Sequence, residues 1–372
     1  MLDARPKTAL HVRPPAARHG TGRRNFLFAL AGMAAITKAR ATTVFAASRA
    51  ATPPPEPFPD SVCLLVAGPR GGRMDRWADA IGAALRHALP PGTTLRQTLA
   101  GGADGVTAAN QFEARVAPDG QTALLLPGEA PLAWLTGDPR ARFDAACWLP
   151  VMTGLTPGVL ASRVPASALR PGSRLRVATS VPAGPELAAL LGLDLMGVEP
   201  LPTFGLHDTE VALLALQGHL VDAVFVTGPD APELLAKAAA AGAAPLFTLG
   251  VPLESGMQRD PLLPEVPTAL ELATQLRGAM PSGALAGAWR SAAAATQIEF
   301  ALVLPPLTPA ALVAHWRCAG AAASRTLRPQ APGVRLLCTP EGNAATAAIA
   351  ADPAAMLELR RWLAARFNWT PS

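Results

Sequence analysis

Apolar runs of five or six residues recur along the chain, bounded by turn-forming residues and separated by stretches whose apolar positions return every three or four residues. The runs are LLVAG at 64–68, ALLLP at 123–127, VLASR at 159–163, LRVAT at 175–179, AVFVT at 223–227, PLFTL at 245–249 and FALVLP at 300–305. Their continuity fits strands covered on both faces; half-exposed strands would alternate. After the first run, Met74, Trp77, Ala78, Ile81 and Leu85 share one face of a helix. Strand and helix in regular alternation predict an α/β fold. A chain of 372 residues supports one large core or two moderate ones.

The junction between the first strand and its helix is GPRGG, residues 68–72. Glycines permit a tight reversal and leave the amides of Gly71, Gly72 and Arg73 bare at a helix N-terminus, whose partial positive charge favours an anion. Asp75 stands just inside, where a carboxylate caps neighbouring amides. Arg70 adds positive charge to a pocket if it turns inward; the competing reading is a solvent-facing arginine. A bulky residue at Gly72 is expected to block the amides while sparing the fold. SRLRVATSVPAGPELAALLGL, residues 173–193, repeats the design, so that Ser180, Ala183 and Gly184 present a second helix N-terminus.

Charge is unevenly spread. Residues 1–50 hold nine basic side chains against Asp3 alone, so with the whole chain at +5 the remainder carries −3, which does not fit a nucleic-acid-binding body. That basic leader contains TGRRNFLFALAGMAAITKARA, an arginine pair before a modest apolar run, which has the form of a twin-arginine export signal at residues 1–50, with cleavage expected after Ala41 or Ala50. The proline-rich stretch at 51–60 reads as a stiff linker. Export places Cys63, Cys147, Cys318 and Cys338 in an oxidising compartment; Cys318 with Cys338 is the pairing worth testing, and Cys63 reads as a small buried hydrophobe. No Cys or His spacing points to a metal, and no dinucleotide fingerprint or other cofactor motif is present.

Four further landmarks follow in order: GGRMD at 71–75, GGADG at 101–105 with PDGQT at 118–122, FDAACWLPV at 143–151, and RDPLLPEVPT at 259–268. Together they resemble the substrate-binding proteins of tripartite tricarboxylate transporters, the periplasmic Bug family, over residues 60–370. The resemblance implies a type II periplasmic-binding-protein fold. Its first α/β lobe would take residues 61–160 plus 285–372 and its second 161–284, with a ligand cleft between them at the strands' carboxyl ends. It also implies a monomeric periplasmic receptor that captures a small carboxylate by lobe closure and passes it to the membrane permease subunits of such a transporter. Candidate binding residues are Arg70, Gly71, Gly72, Arg73, Asp75 and Glu129 in the first lobe and Ser180, Ala183, Gly184, Thr203, Gly205 and Thr227 in the second.

Four positions depart from the family pattern. Ala67 and Gly68 stand where the family has Pro followed by an aromatic residue, Glu186 stands near its usual His, and Thr203 replaces its Tyr. A receptor reporting to a membrane sensor kinase would need the same pocket. A twin-arginine-exported enzyme is the remaining alternative, with His207 beside Asp208 as its best acid–base pair; no nucleophile elbow or His-Glu-x-x-His supports it, and the pair reads more simply as a solvated helix-opening turn. Trp134 is a candidate for the cleft wall.

Overall fold

A computed structural model describes residues 57–253, 256–328, 333–338 and 341–370. The expected export signal and most of the expected linker lie outside the described residues.

The chain opens with β1 (Ser61–Val66), α1 (Arg73–Ala88), β2 (Thr94–Leu99), α2 (Val106–Arg115), β3 (Thr122–Leu126), α3 (Glu129–Thr136) and β4 (Leu149–Leu155). It then builds β5 (Gly158–Ser162), β6 (Arg174–Ala178), α4 (Leu187–Leu195), β7 (Glu199–Thr203), α5 (Thr209–Gln217), β8 (Ala223–Thr227), α6 (Ala231–Ala240) and β9 (Ala244–Thr248). An antiparallel pair, β10 (Val251–Leu253) and β11 (Gly256–Gln258), precedes α7 (Ala269–Arg277), α8 (Ala284–Thr296) and β12 (Ile298–Leu304). The described chain closes with α9 (Ala310–Leu327), β13 (Arg335–Leu337), α10 (Glu341–Ile349) and α11 (Pro353–Phe367).

Two mixed sheets result, ordered β13-β4-β12-β3-β1-β2 and β7-β6-β8-β5-β9. Each contains a parallel trio, β2-β1-β3 in one and β7-β6-β8 in the other, and each trio is extended by an antiparallel strand, β12 or β5. The fold is therefore α/β with two multi-stranded sheets, the class expected from the alternation. All seven apolar runs lie in strands. Among the longer strands the runs miss β2, β4 and β7: β2 alternates between exposed and half-buried positions and carries Arg96 and Gln97, β7 is broken by Pro200 and Pro202, and buried β4 is interrupted by Pro150, Thr153 and Gly154.

Burial follows the sequence pattern. Leu64, Val66, Leu124 and Leu125 are fully covered, and helix α4 is apolar all round, with Leu187, Leu190, Leu191 and Leu193 at 0% exposure. A helix with no polar face must be enclosed, and α4 packs against both α7 and α8. Each such leucine contributes roughly 1.5–3 kcal/mol by leaving water. At its end, Asp194 accepts from Trp362 Nε1 at 3.1 Å and pairs with Arg366, tying α4 to α11.

The motifs that carried the resemblance are largely turn and cap chemistry. Asp119 accepts the Gln121 amide at 2.9 Å, Asp144 accepts the Ala146 amide at 3.0 Å, and Thr268 with Glu271 forms a capping box at the start of α7. Arg259 braces the last motif by pairing with Glu271 at 2.9 Å and donating to the Pro264 carbonyl at 2.9 Å. All four cysteines are free thiols, so the expected Cys318–Cys338 bridge is not formed; Cys318 is exposed and Cys63 is half-buried on β1, donating to Thr98 at 3.5 Å. No helix among the described residues is long and apolar enough to cross a membrane.

Gly128 closes the turn before α3 where it meets the α8–β12 junction. A Cβ there would lie 2.1 Å from the Ala295 carbonyl oxygen and 2.8 Å from that of Ile298, both backbone atoms. Gly128→Ala is therefore expected to destabilise the fold by about 2–3 kcal/mol, read from urea denaturation midpoints.

Candidate functional site

A cavity of about 210 Å³ lies where elements of the two sheets meet. Arg73 opens α1 after the carboxyl end of β1, Gly128, Glu129 and Leu132 follow the carboxyl end of β3, and Thr227, Gly228 and Pro229 close β8. Ile298 and Glu299 enter from the start of antiparallel β12, with Thr296, Thr156 and Pro185 completing the wall. Strand carboxyl ends at a crossing between sheets are the usual place for a ligand in an α/β protein. A larger space of about 570 Å³ lies among β10, β11, α8, α10 and α11, but alanines and glycines dominate its lining, with Arg290 and Asp352 as its charges. The smaller cavity holds the convergent polar groups.

Three charges organise it. Arg73 donates to both oxygens of Glu129, at 2.7 and 2.8 Å, and reaches Glu299 at 3.6 Å. Glu299 is 3% exposed and its other oxygen accepts from Trp77 Nε1 at 2.8 Å. Burial pushes the Glu299 carboxyl up from its ordinary 4.5; Arg73 and the indole N–H oppose the rise, while Glu129 and Asp230 add to it. Burial opposes the charge on Arg73, and the two glutamates outweigh it, holding its pKa above the ordinary value. The hydroxyls of Thr156 and Thr227 stand 3.4 Å apart, and Thr296 Oγ1 is buried without a hydrogen-bond partner.

Of the sequence candidates, the cavity gathers Arg73, Glu129 and Thr227. The remaining first-lobe candidates form a turn closed on itself. The Gly71 amide donates to Asp75 at 2.6 Å, the Gly71 carbonyl accepts from Arg76 at 2.8 Å, and the Gly72 amide donates to Pro69 at 3.0 Å. The expected bare amides at Gly71 and Gly72 are thus already bonded. A Cβ on Gly72 would lie 2.9 Å from the Pro69 carbonyl oxygen, so a bulky residue there disturbs the turn itself and does not spare the local fold as expected. Arg70 is exposed and lies outside the cavity lining.

The second turn is closed in the same way. Ser180 donates to Glu186 at 2.8 Å, and this pair occupies the space over Gly184, where a Cβ would lie 2.5 Å from Ser180 Oγ and 2.9 Å from a Glu186 oxygen. The Gly184 amide donates to Val181 at 3.0 Å, and Ala183 beside it is half-buried. Thr203 and Gly205 brace this turn through their backbones, Thr203 accepting from Thr179 at 3.0 Å and Gly205 donating to Ser180 at 3.1 Å. Burial raises the Glu186 carboxyl, against hydrogen bonds from Ser180 and attraction to His207. Asp208 caps α5 by accepting the Glu210 amide at 2.8 Å, and His207 is exposed. Trp134 lines a separate surface hollow with Asp138 and Arg360.

Sequence reasoning missed Glu299, the most buried charge in the cavity. Its one signal was a lone acid beside the apolar run that became β12. Among the described residues, no group of three or more His, Cys, Asp or Glu side chains is placed to hold a metal.

No known family profile matches the chain, and no curated protein matches it. Among solved structures, it is similar to a TctC solute-binding protein from Polaromonas, with a TM-score of 0.56 and 19% identity over 83% of this chain and 98% of that one. The fold is that of a TctC solute-binding protein. MatC of Rhodopseudomonas palustris, solved with malate, gives a TM-score of 0.45 and 22% identity over 82% of this chain and 98% of its own. A second R. palustris protein, solved with adipate, gives 0.48 and 19% over 83% and 98%. In this TctC-like fold, the cavity lies at the meeting of the two sheet units.

The raised carboxyls set a direction for pH. A carboxyl whose pKa rises on folding holds its proton more tightly in the folded chain, so stability falls as pH rises from the ordinary 4.5 through the folded value. Glu299→Gln keeps an acceptor for Trp77 and removes the ionisation. Thermal melts from about pH 4 to about pH 7 are expected to show the variant gaining midpoint over the parent as pH rises. A constant difference across that range would contradict the assignment.

Proposed function

We propose that the chain is an exported solute-binding receptor of the tripartite tricarboxylate type, belonging to the Bug family its motifs resemble. Residues 61–160 with 285–372 form one lobe and 161–284 the other. The lobes close on a small solute, and the loaded receptor delivers it, as a monomer in the periplasm, to membrane permease subunits. The observation that carries this reading is the cavity assembled from Arg73, Glu129 and Glu299 of the first sheet's elements and Thr227, Gly228 and Pro229 of the second's. A ligand touching both sets favours the closed form by its differential contacts. The solute implied by the resemblance is small, as the cavity requires, and Arg73, held between Glu129 and Glu299, is the cation among the described lining residues. The reading is binding without turnover.

Native mass spectrometry of protein freshly isolated from a periplasmic extract tests it. A mature chain beginning after Ala41 or Ala50, carrying one small molecule that is released unchanged on denaturation, is the expected result. Unprocessed chain with no adduct, or a bound molecule converted to product, would overturn it.

A further inference from the structure

Three helices begin beside the cavity, and each start has one of the chain's own carboxylates standing beside it. Asp75 takes the Gly71 amide before α1 at 2.6 Å, Glu129 is the first residue of α3, and Glu186 stands at the N-cap position of α4, where it accepts from the Ser180 hydroxyl at 2.8 Å. The partial positive charge at each helix start is therefore already faced by an acid of the chain itself. Arg73 does not restore the balance, because Glu129 engages it with both oxygens and Glu299 approaches it at 3.6 Å. Asp230, close enough to raise the Glu299 carboxyl further, adds to the negative field.

An incoming dianion meets this excess in a partly desolvated space, where charges interact more strongly than in water. A cation meets the reverse. The hydroxyls of Thr156, Thr227 and Thr296 are uncharged, and the buried, unpartnered Thr296 Oγ1 can donate to or accept from either kind of ligand. Charge is therefore decided by the glutamates. We propose that the solute carries an ammonium group paired with Glu129 and Glu299, and that a dicarboxylate lacking one is rejected. This rests on the reading of the cavity as the solute site.

Calorimetric titration of the purified full-length protein with three matched four-carbon probes, succinate, 4-aminobutanoate and 1,4-diaminobutane, tests it. At least one amine is expected to bind tenfold or more tighter than succinate, with Glu129→Gln and Glu299→Gln each weakening that amine about tenfold. A ratio below ten for both amines, or amine binding untouched by either substitution, overturns the ammonium assignment. Succinate binding alone does so while leaving the receptor reading in place. Binding of none of the three overturns the assignment and counts against the receptor reading as well.

Discussion

The guanidinium of Arg73 between Glu129 and Glu299 is the contact on which the rest of the cleft depends. It joins the start of α1, the start of α3 and the start of β12. Glu299, 3% exposed, is tolerable there because the Trp77 indole donates to one oxygen and the Arg73 charge stands 3.6 Å from the other. Trp77 also sets its ring against Phe300 at 4.7 Å, so one side chain of α1 both packs on β12 and serves its buried acid. Removing the arginine would leave two carboxylates facing each other with no cation between them, a larger penalty than the pair's own attraction.

Much of the fold was legible because its strands are buried on both faces. Continuous apolar runs such as LLVAG and FALVLP have few other uses in a chain with helical stretches between them, and Asp119, Asp144 and Thr268 make turns and caps by local rules. Strands β2, β4 and β7 were not legible, since charged or polar residues in β2, prolines in β7, and Pro150, Thr153 and Gly154 in β4 leave no continuous apolar run. The helix starts at Arg73 and Leu187 were read from glycine-rich loops, and Asp75 was read as a partner for amides at the first; the Glu186–Ser180 contact at the second was not read. Asp75 and Glu186 are near neighbours of the amides and hydroxyls they close, yet sequence spacing alone does not say whether a side chain turns back onto its own helix or leaves room for a guest.

Glu299 shows the other limit. Its partners Arg73 and Trp77 are more than two hundred residues away in the chain, and only the pairing of β12 with β3 brings them together. Glu129 and Thr227 were named as candidates without a reason for the two to meet; the fold gives it, by setting the ends of β3 and β8, one from each sheet, on the same cavity. The cavity is set by the strand ends that meet at it, and the residues lining it set its charge. A shared fold fixes where a ligand sits far more firmly than which ligand it is.

If internal acids occupy the anion positions, neutralising them should open the site to anions. Succinate affinity measured by calorimetry on the Glu129→Gln/Glu299→Gln double variant and on the parent chain is the direct test. The expected result is tighter binding in the variant, by tenfold or more, as Arg73 is released to the ligand. Equal or weaker succinate binding in the variant would contradict the claim that Glu129 and Glu299 hold the place of a bound anion.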